Sequence, residues 1–283
     1  MTVDISLFTA HHEYDLQLDT FKKYFCPIHV GSSNSKVSLN IRKDNTYGKL
    51  SKFNSRYCEL TALDEIIEGP FNEYIGLMHY RRIFTSPKPI IKLRKDIKFK
   101  LNILKKTIFN KKRNFERQNN IKIKNKNKLE HECIGLNKYL KKNACNVDII
   151  TPEPIFYNGS TIRQKYASHH QVEHFDLFLT NLTNIFPEFL EYVKIYENSG
   201  YYFICNMFIM KNEFFSKYWK ILKTVLQKTE KEIDFSQLDA YQTRVLGFLA
   251  ERFMSIFVLY AEKEMNARIS CLPVASISME TTQ

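Results

Sequence analysis

No apolar run in this chain approaches the roughly 18 residues that a membrane-crossing helix needs, which argues against an integral membrane protein. The N-terminus MTVDISLFTAHH carries Asp4 where a secretory leader would carry positive charge, so a secreted protein is not expected either. The six cysteines (Cys26, Cys58, Cys133, Cys145, Cys205 and Cys271) form no C-x-x-C pair and no cluster with histidine at zinc spacing. Their scatter points to reduced thiols in a cytoplasmic protein. Glycine-rich phosphate loops of the G-x-G-x-x-G and G-x-x-x-x-G-K-[ST] kinds are absent, which sets aside Rossmann dinucleotide enzymes and P-loop nucleotidases. Nothing repeats at a fixed period, so solenoids and propellers are excluded as well.

What is present is a globular composition: 283 residues, 44% hydrophobic and 14% aromatic, with 22 Phe and 16 Tyr. A chain of that length buries a sizeable core as one large α/β domain or two small ones. The net charge of +12 is concentrated. Residues 88–142 hold 19 Lys and Arg against 4 Asp and Glu, a local balance of +15, so the rest of the chain is slightly acidic. Within this segment Ile91, Leu93, Ile97, Phe99, Leu101, Ile103 and Leu104 are spaced partly as on a helix. A solvated Lys/Asn-rich loop, an amphipathic segment on an anionic membrane and a nucleic-acid-binding patch all fit that pattern. No RNP-like or helix-turn-helix pattern accompanies it, and nucleic acid is not expected as a partner.

The pattern of elements is that of an α/β sheet. VDISLFTA (3–10) reads as a first core strand ending at His11 and His12, and CPIHVGSS (26–33) as a second. A polar loop over 40–54 leads into a helix over 56–69 that stops at Gly-Pro, and EYIGLMHY (73–80) follows as a strand. After the basic segment come a short strand in VDIITPEP, two helices between 166 and 199, a single central strand YYFICNMFIMK (201–211), and two long helices up to about residue 264.

Two constellations suit chemistry. EYIGLMHYRRIF delivers His79, Tyr80, Arg81 and Arg82 to the carboxyl end of a strand, where open α/β sheets bind ligands. Arginine is suited to bidentate contact with phosphate, and two beside a histidine could neutralise a pyrophosphate; a surface ion-pair cluster is the plainer alternative. In the last helix Arg244, Gly247, Glu251 and Ser255 fall on one stripe of an otherwise apolar segment. Glu251 there is either paired with an arginine or used as a functional carboxylate, and Gly247 indicates that something approaches closely. Asp44, Asn45 and Asn54 could hold a ribose or base, or simply make Asx turns. The pairs His11/His12 and His169/His170, with His174, lack a carboxylate at ligand spacing, and no metal site is expected.

In order and spacing, DNT (44–46), NSRYCELTAL (54–63), EYIGLMHYRRIF, HHQVEHFDLF (169–178), CNMFIMKNEFFSKY (205–218) and YQTRVLGFLAERF (241–253) resemble a family of bacterial glycosyltransferases. That family was long catalogued only as a domain of unknown function and occurs in capsule, lipopolysaccharide and O-antigen gene clusters. The resemblance spans nearly the whole chain except the basic segment. It implies a single GT-A-like α/β domain, with a central mixed sheet flanked by helices and residues 88–142 as a basic, largely helical insertion. It further implies a hexosyltransferase moving galactose or galactofuranose from a UDP-sugar to a surface glycan, the acceptor being carried on a polyprenyl diphosphate. The insertion would then hold the enzyme at the inner face of the cytoplasmic membrane. Two departures stand out: Tyr47, Gly48 and Lys49 follow DNT in place of Gly-Asp-Asn, and His11-His12-Glu13 replaces a His-Lys pair.

Carried onto this chain, the resemblance assigns donor binding to His11, Asp44, Asn45, Asn54, His79, Tyr80, Arg81, Arg82 and Asn206. His169, His170, Arg244 and Arg252 serve the acceptor or support the site. Glu251 is the first candidate for general base and Asp239 the second. HYRR stands where GT-A enzymes commonly carry an Asp-x-Asp metal motif, so the arginines with His79 are expected to supply the charge and no metal to be required. The alternative from another class is a non-catalytic basic protein that binds nucleic acid or an anionic membrane.

Overall fold

Strands that are apolar on both faces need a layer of helices on each side, and the chain adopts that arrangement. The computed structural model describes residues 3–70, 72–87, 121–157 and 159–279. The first part contains β1 (Ile5–His11), α1 (Leu18–Tyr24), β2 (Cys26–His29), β3 (Arg42–Lys43), α2 (Asn54–Tyr57), α3 (Leu60–Ile67), β4 (Tyr74–His79) and β5 (Arg82–Phe84). Beyond residue 120 come β6 (Ile121–Ile123), α4 (Lys126–Asn143), β7 (Ile149–Pro152), β8 (Ile155–Phe156), α5 (Ile162–Ala167), α6 (Val172–Ile185) and α7 (Leu190–Glu197). The chain continues through β9 (Tyr201–Tyr202), β10 (Phe208–Lys211), α8 (Asn212–Glu230), α9 (Val245–Glu264), β11 (Ile269–Leu272) and β12 (Val274–Ile277).

The main sheet runs β11-β7-β10-β4-β1-β2-β3. β1 is parallel to β2 and β4, β2 is parallel to β3, and β10 is antiparallel to both β4 and β7. The sheet is therefore mixed, as expected. Side-chain alternation splits the core in two. Phe8, Ala10, Ile28, Ile75 and Leu77 face one layer, with α2, α3 and α5 to α9. Leu7, Tyr74, Met78 and Ile209 face the other, with α1 and α4. Gly76 sits at the closest approach: a Cβ there would lie 2.7 Å from Leu7 Cδ2 and 2.9 Å from Ile209 Cγ1, so only glycine lets β1, β4 and β10 pack at this point.

Two expectations change. The helix over 56–69 is two helices broken at Cys58, whose φ is +51°. YYFICNMFIMK is not one strand: β9 pairs with β8 in a separate two-stranded sheet, and Cys205 and Asn206, with φ of +69° and +48°, turn the chain before β10. At the carboxyl end of β4, as expected, HYRR forms a tight turn: His79 pairs with Arg82 across β4–β5, and β5 then joins β12. Residues 121–142, within the expected insertion, pack against the fold. β6 pairs with β12, and α4 buries Leu129, Cys133, Leu136 and Leu140 against the second core, because those four apolar residues make one helical stripe amid the lysines. The amphipathic pattern from Ile91 to Leu104 lies outside the described residues. Among the described residues no helix is long and apolar enough to cross a membrane.

Candidate active site

Three of the non-glycine residues with positive φ, Cys58, Cys205 and Asn206, meet at one place. Each costs of order 1–3 kcal/mol relative to a relaxed backbone and persists only where its surroundings dictate it. Here the surroundings are α9. Ser255 Oγ accepts from Phe203 N–H at 3.1 Å, Glu251 Oε1 from Cys205 N–H at 2.8 Å, and the Gly247 carbonyl from Asn206 Nδ2 at 3.1 Å. At the end of the stripe Arg244 Nε donates to Cys58 Sγ at 3.3 Å. The polar stripe seen in the sequence is thus the edge against which two strained turns are held. Gly247 is the point of contact: a Cβ there would stand 3.2 Å from Cys58 Sγ.

Glu59, which the sequence pattern did not single out, completes the cluster. It follows the Cys58 turn, and its Oε1 accepts from Asn206 Nδ2 at 2.9 Å, bridging the two turns. Glu251 Oε2 pairs with Arg252 Nη1 at 2.8 Å, while a fifth of the Glu251 side chain stays open to solvent. Burial pushes the Glu251 carboxyl above the usual range and Glu59 adds to this; Arg252, the Cys205 N–H and Arg82 pull the other way without cancelling it. Burial likewise raises both thiols, Cys58 and Cys205, to about 12, so neither is a thiolate at neutral pH. Two buried polar atoms here, Asn206 Oδ1 and Arg252 Nε, have no protein partner. Arg252 is sandwiched instead, with its guanidinium over the rings of Tyr166 at 5.1 Å and Tyr202 at 4.8 Å.

The HYRR turn lies within electrostatic reach of the same cluster through Arg82. Register places His79 opposite Ala10, on the face of Ile75 and Leu77, the side on which Glu59 and Glu251 lie. His79 Nδ1 accepts from Arg81 N–H at 3.2 Å, which leaves Nε2 as the donor. Burial, then Arg82 and Arg81, push the His79 pKa down to about 3. His79 is therefore neutral, and the expectation that it adds positive charge is corrected: it offers a hydrogen bond, and the charge belongs to Arg81 and Arg82. Arg82 is partly buried, and its field also lowers the Glu251 and Cys205 pKa values. Arg81 is exposed, over the Tyr80 ring at 5.0 Å.

Other expected site residues are drawn into the scaffold. His11 lies on the opposite face from His79, fully buried, with Nδ1 on Asp15 Oδ2 at 2.8 Å and Nε2 on Thr9 Oγ1 at 3.0 Å. Tyr80 shares that face, 6% exposed, with its carbonyl accepting from Gln17 Nε2. Asp44 is fully buried and accepts five hydrogen bonds, from the Gly31 and Ser32 amides and the Ser32, Ser51 and Thr61 hydroxyls. A carboxylate so saturated ties loops together and has no oxygen left for a ribose. Asn45 donates to Ser33 Oγ, and Asn54 to the Cys58 carbonyl and Thr61 Oγ1, helping set the strained turn. Asp239 is exposed and caps the turn before α9 through Gln242 N–H at 2.7 Å, so it is not brought to Glu251. His169 is also exposed, whereas His170 packs on Tyr166 at 4.7 Å and on Phe248 at 4.2 Å. A cleft of about 380 Å³ lined by Phe186, Glu188, Ser216, Lys217, Lys220 and Ile221 contains none of these residues.

A mixed sheet between helical layers is a GT-A-like α/β architecture. A solved structure, the apo form of the bifunctional glycosyltransferase WbbM, has the same fold, with a TM-score of 0.78 at 20% identity over 98% of this chain. The chain spans 46% of that protein's length. Over residues 6–263 the chain matches the family described as "Domain of unknown function (DUF4422)", and it belongs to that family. No curated protein matched the chain.

Proposed function

We propose that this chain is a glycosyltransferase that moves a hexose from a nucleoside diphosphate donor, UDP-linked, to a growing glycan. The observation that carries the reading is the cluster of Glu251, Glu59 and Asn206 around two strained turns, with Arg82 of the HYRR turn within electrostatic reach, on a fold shared with a glycosyltransferase. Arg82 and Arg81 balance the charge that develops on the leaving diphosphate, and His79 Nε2–H donates to one of its oxygens. Glu251 takes the proton of the attacking hydroxyl, its affinity for that proton raised by burial. Asn206 Oδ1 and Arg252 Nε are unpaired polar atoms suited to sugar hydroxyls.

The cationic role goes to arginine because Arg81 and Arg82 stand together at the β4–β5 turn, at the carboxyl end of a central strand. The donor sugar in this reading is galactose or galactofuranose, and the acceptor a lipid-linked capsule or lipopolysaccharide intermediate. The basic segment holds the enzyme on the inner face of the cytoplasmic membrane. Its described part supports this: Lys122, Lys124, Lys126, Lys128, Lys138, Lys141 and Lys142 are exposed beside the half-exposed Ile134.

Thermal denaturation with UDP, GDP, CDP and inorganic pyrophosphate tests the reading. A donor-site ligand stabilises the fold by mass action, about 2.7 kcal/mol at 100 times its Kd. UDP is expected to raise Tm well above the others, and to do so equally with and without EDTA. Equal shifts from all four would leave only a generic anion site.

A further inference from the structure

At the entrance to α9 stands a set of stacked rings that the catalytic reading does not use. Tyr241 is 49% exposed and lies face to face with His170, 5.7 Å between centroids at an interplanar angle of 16°. Phe248 closes the group, 5.1 Å from Tyr241 and 4.2 Å from His170, and the Arg244 guanidinium stands 5.8 Å from the Phe248 ring. Exposed stacked aromatics carry a cost in water that folding alone does not require. The His170 ring is kept neutral, its pKa lowered to about 4 by burial and by Arg252, and its buried Nδ1 has no protein partner.

The position relative to the carboxylate identifies the occupant. The Phe248 carbonyl accepts from Arg252 Nη1, the partner of Glu251, and Phe248 precedes Glu251 by three residues, so the two side chains leave neighbouring turns of α9, ~4.5 Å apart along its axis. A pyranose has a similar width and presents a face of C–H groups, which are attracted to the negative face of an aromatic ring. A nucleobase also stacks, but strand order separates the two places. The carboxyl ends of β1 and β2, where such sheets bind nucleotides, lie on one side of β4; the Cys205 turn held by α9 leads into β10 on the other.

We propose that Tyr241, Phe248 and His170 form a stacking platform for a pyranose ring of the acceptor glycan, with Arg244 at its edge and the ring's reacting hydroxyl turned to Glu251. The acceptor role rests on the glycosyltransferase reading; binding of a pyranose to the platform does not.

Saturation-transfer NMR on the whole chain with methyl galactoside, glucoside, mannoside and N-acetylglucosaminide tests it, beside UDP-induced thermal shifts. At least one glycoside is expected to bind, with affinity weakened about tenfold or more in Tyr241→Ala and retained in Tyr241→Phe. The UDP shift is expected to be the same in all three proteins. Tyr241 is half exposed, and an unchanged unliganded Tm will show that the variants fold. No glycoside binding, binding indifferent to Tyr241→Ala, or a UDP shift lost with Tyr241→Ala would each overturn the platform, the last by placing the base there. Should no nucleoside diphosphate stabilise the protein while Tyr241-dependent glycoside binding persists, the platform stands and the transferase reading fails.

Discussion

Glu251 has each oxygen committed, one to the Cys205 amide and the other to Arg252, yet its proton affinity is raised because burial outweighs those partners. That balance suits a general base, and the pH dependence of turnover tests it. For a base the deprotonated form is the active one, so kcat/KM should fall as pH drops through the Glu251 pKa, at a pH above that of a free glutamate. Glu251→Gln is expected to lower kcat by about 10²- to 10⁴-fold, with Tm little changed and the acid limb of the profile lost. Near-normal turnover in that variant would return Glu251 to a purely structural role. Glu59 acts through Asn206. Glu59→Gln keeps an acceptor oxygen and is expected to retain most activity, whereas Glu59→Ala releases the Cys205–Asn206 turn and lowers kcat without raising the donor KM.

At the scale of elements, the edge of the sheet beyond β10 is clamped by one carboxylate. Asp148, just before β7, accepts from the Arg268 backbone N–H, Nε and Nη2, each at 2.8 Å, and pairs with Lys211 Nζ at 2.9 Å. Arg268 precedes β11 and Lys211 ends β10, so one side chain joins the ends of three adjacent strands. Arg268 first, then Lys211, hold the Asp148 carboxyl well below the usual carboxylate range despite its burial. The folded pKa is depressed, so the contribution to stability is fully present above the unfolded value near ~4 and is lost as pH falls toward the folded one. Asp148→Asn is expected to destabilise by about 2 kcal/mol at neutral pH and to flatten the acid side of the stability curve. Urea denaturation from pH 7 down to pH 3 measures both; a variant with wild-type pH dependence would show that the clamp carries no linkage.

For the molecule as a whole, the unequal charge distribution has a consequence of its own. The acidic and neutral fold carries one strongly basic segment, and seven of its lysines are exposed on β6, α4 and the connection between them. Each is worth about 1 kcal/mol near an anionic leaflet. Co-sedimentation with phosphatidylglycerol vesicles is expected at low salt, with little binding to phosphatidylcholine. Replacing Lys122, Lys124, Lys126 and Lys128 by Glu should weaken it by at least tenfold while leaving Tm nearly unchanged, because α4 is anchored by its apolar stripe and not by these lysines. Equal binding to both lipids would remove the electrostatic anchoring.

Alternation and helical spacing were enough to read the α/β class, the strand that carries HYRR, and the stripe Arg244-Gly247-Glu251-Ser255, because these depend on which residues must be buried; the mixed sheet came with the resemblance. Burial follows from local period and composition. The partners of those residues did not follow. Cys58 sits in what reads as one continuous helix, and Cys205-Asn206 in what reads as one strand, since apolar runs look alike whether or not a turn interrupts them. Only the long-range bonds to Glu251 and Gly247 and the one from Arg244 make those positive-φ turns tolerable. Glu59 becomes significant through the same turns. Asp44 went the other way: its loop looked suited to a ribose, but five donors from three separate segments saturate it. His11 and His79 end neighbouring strands, and a one-residue offset in register sends them to opposite faces of the sheet. That offset is set by packing between strands some 70 residues apart, a distance over which no local pattern carries information.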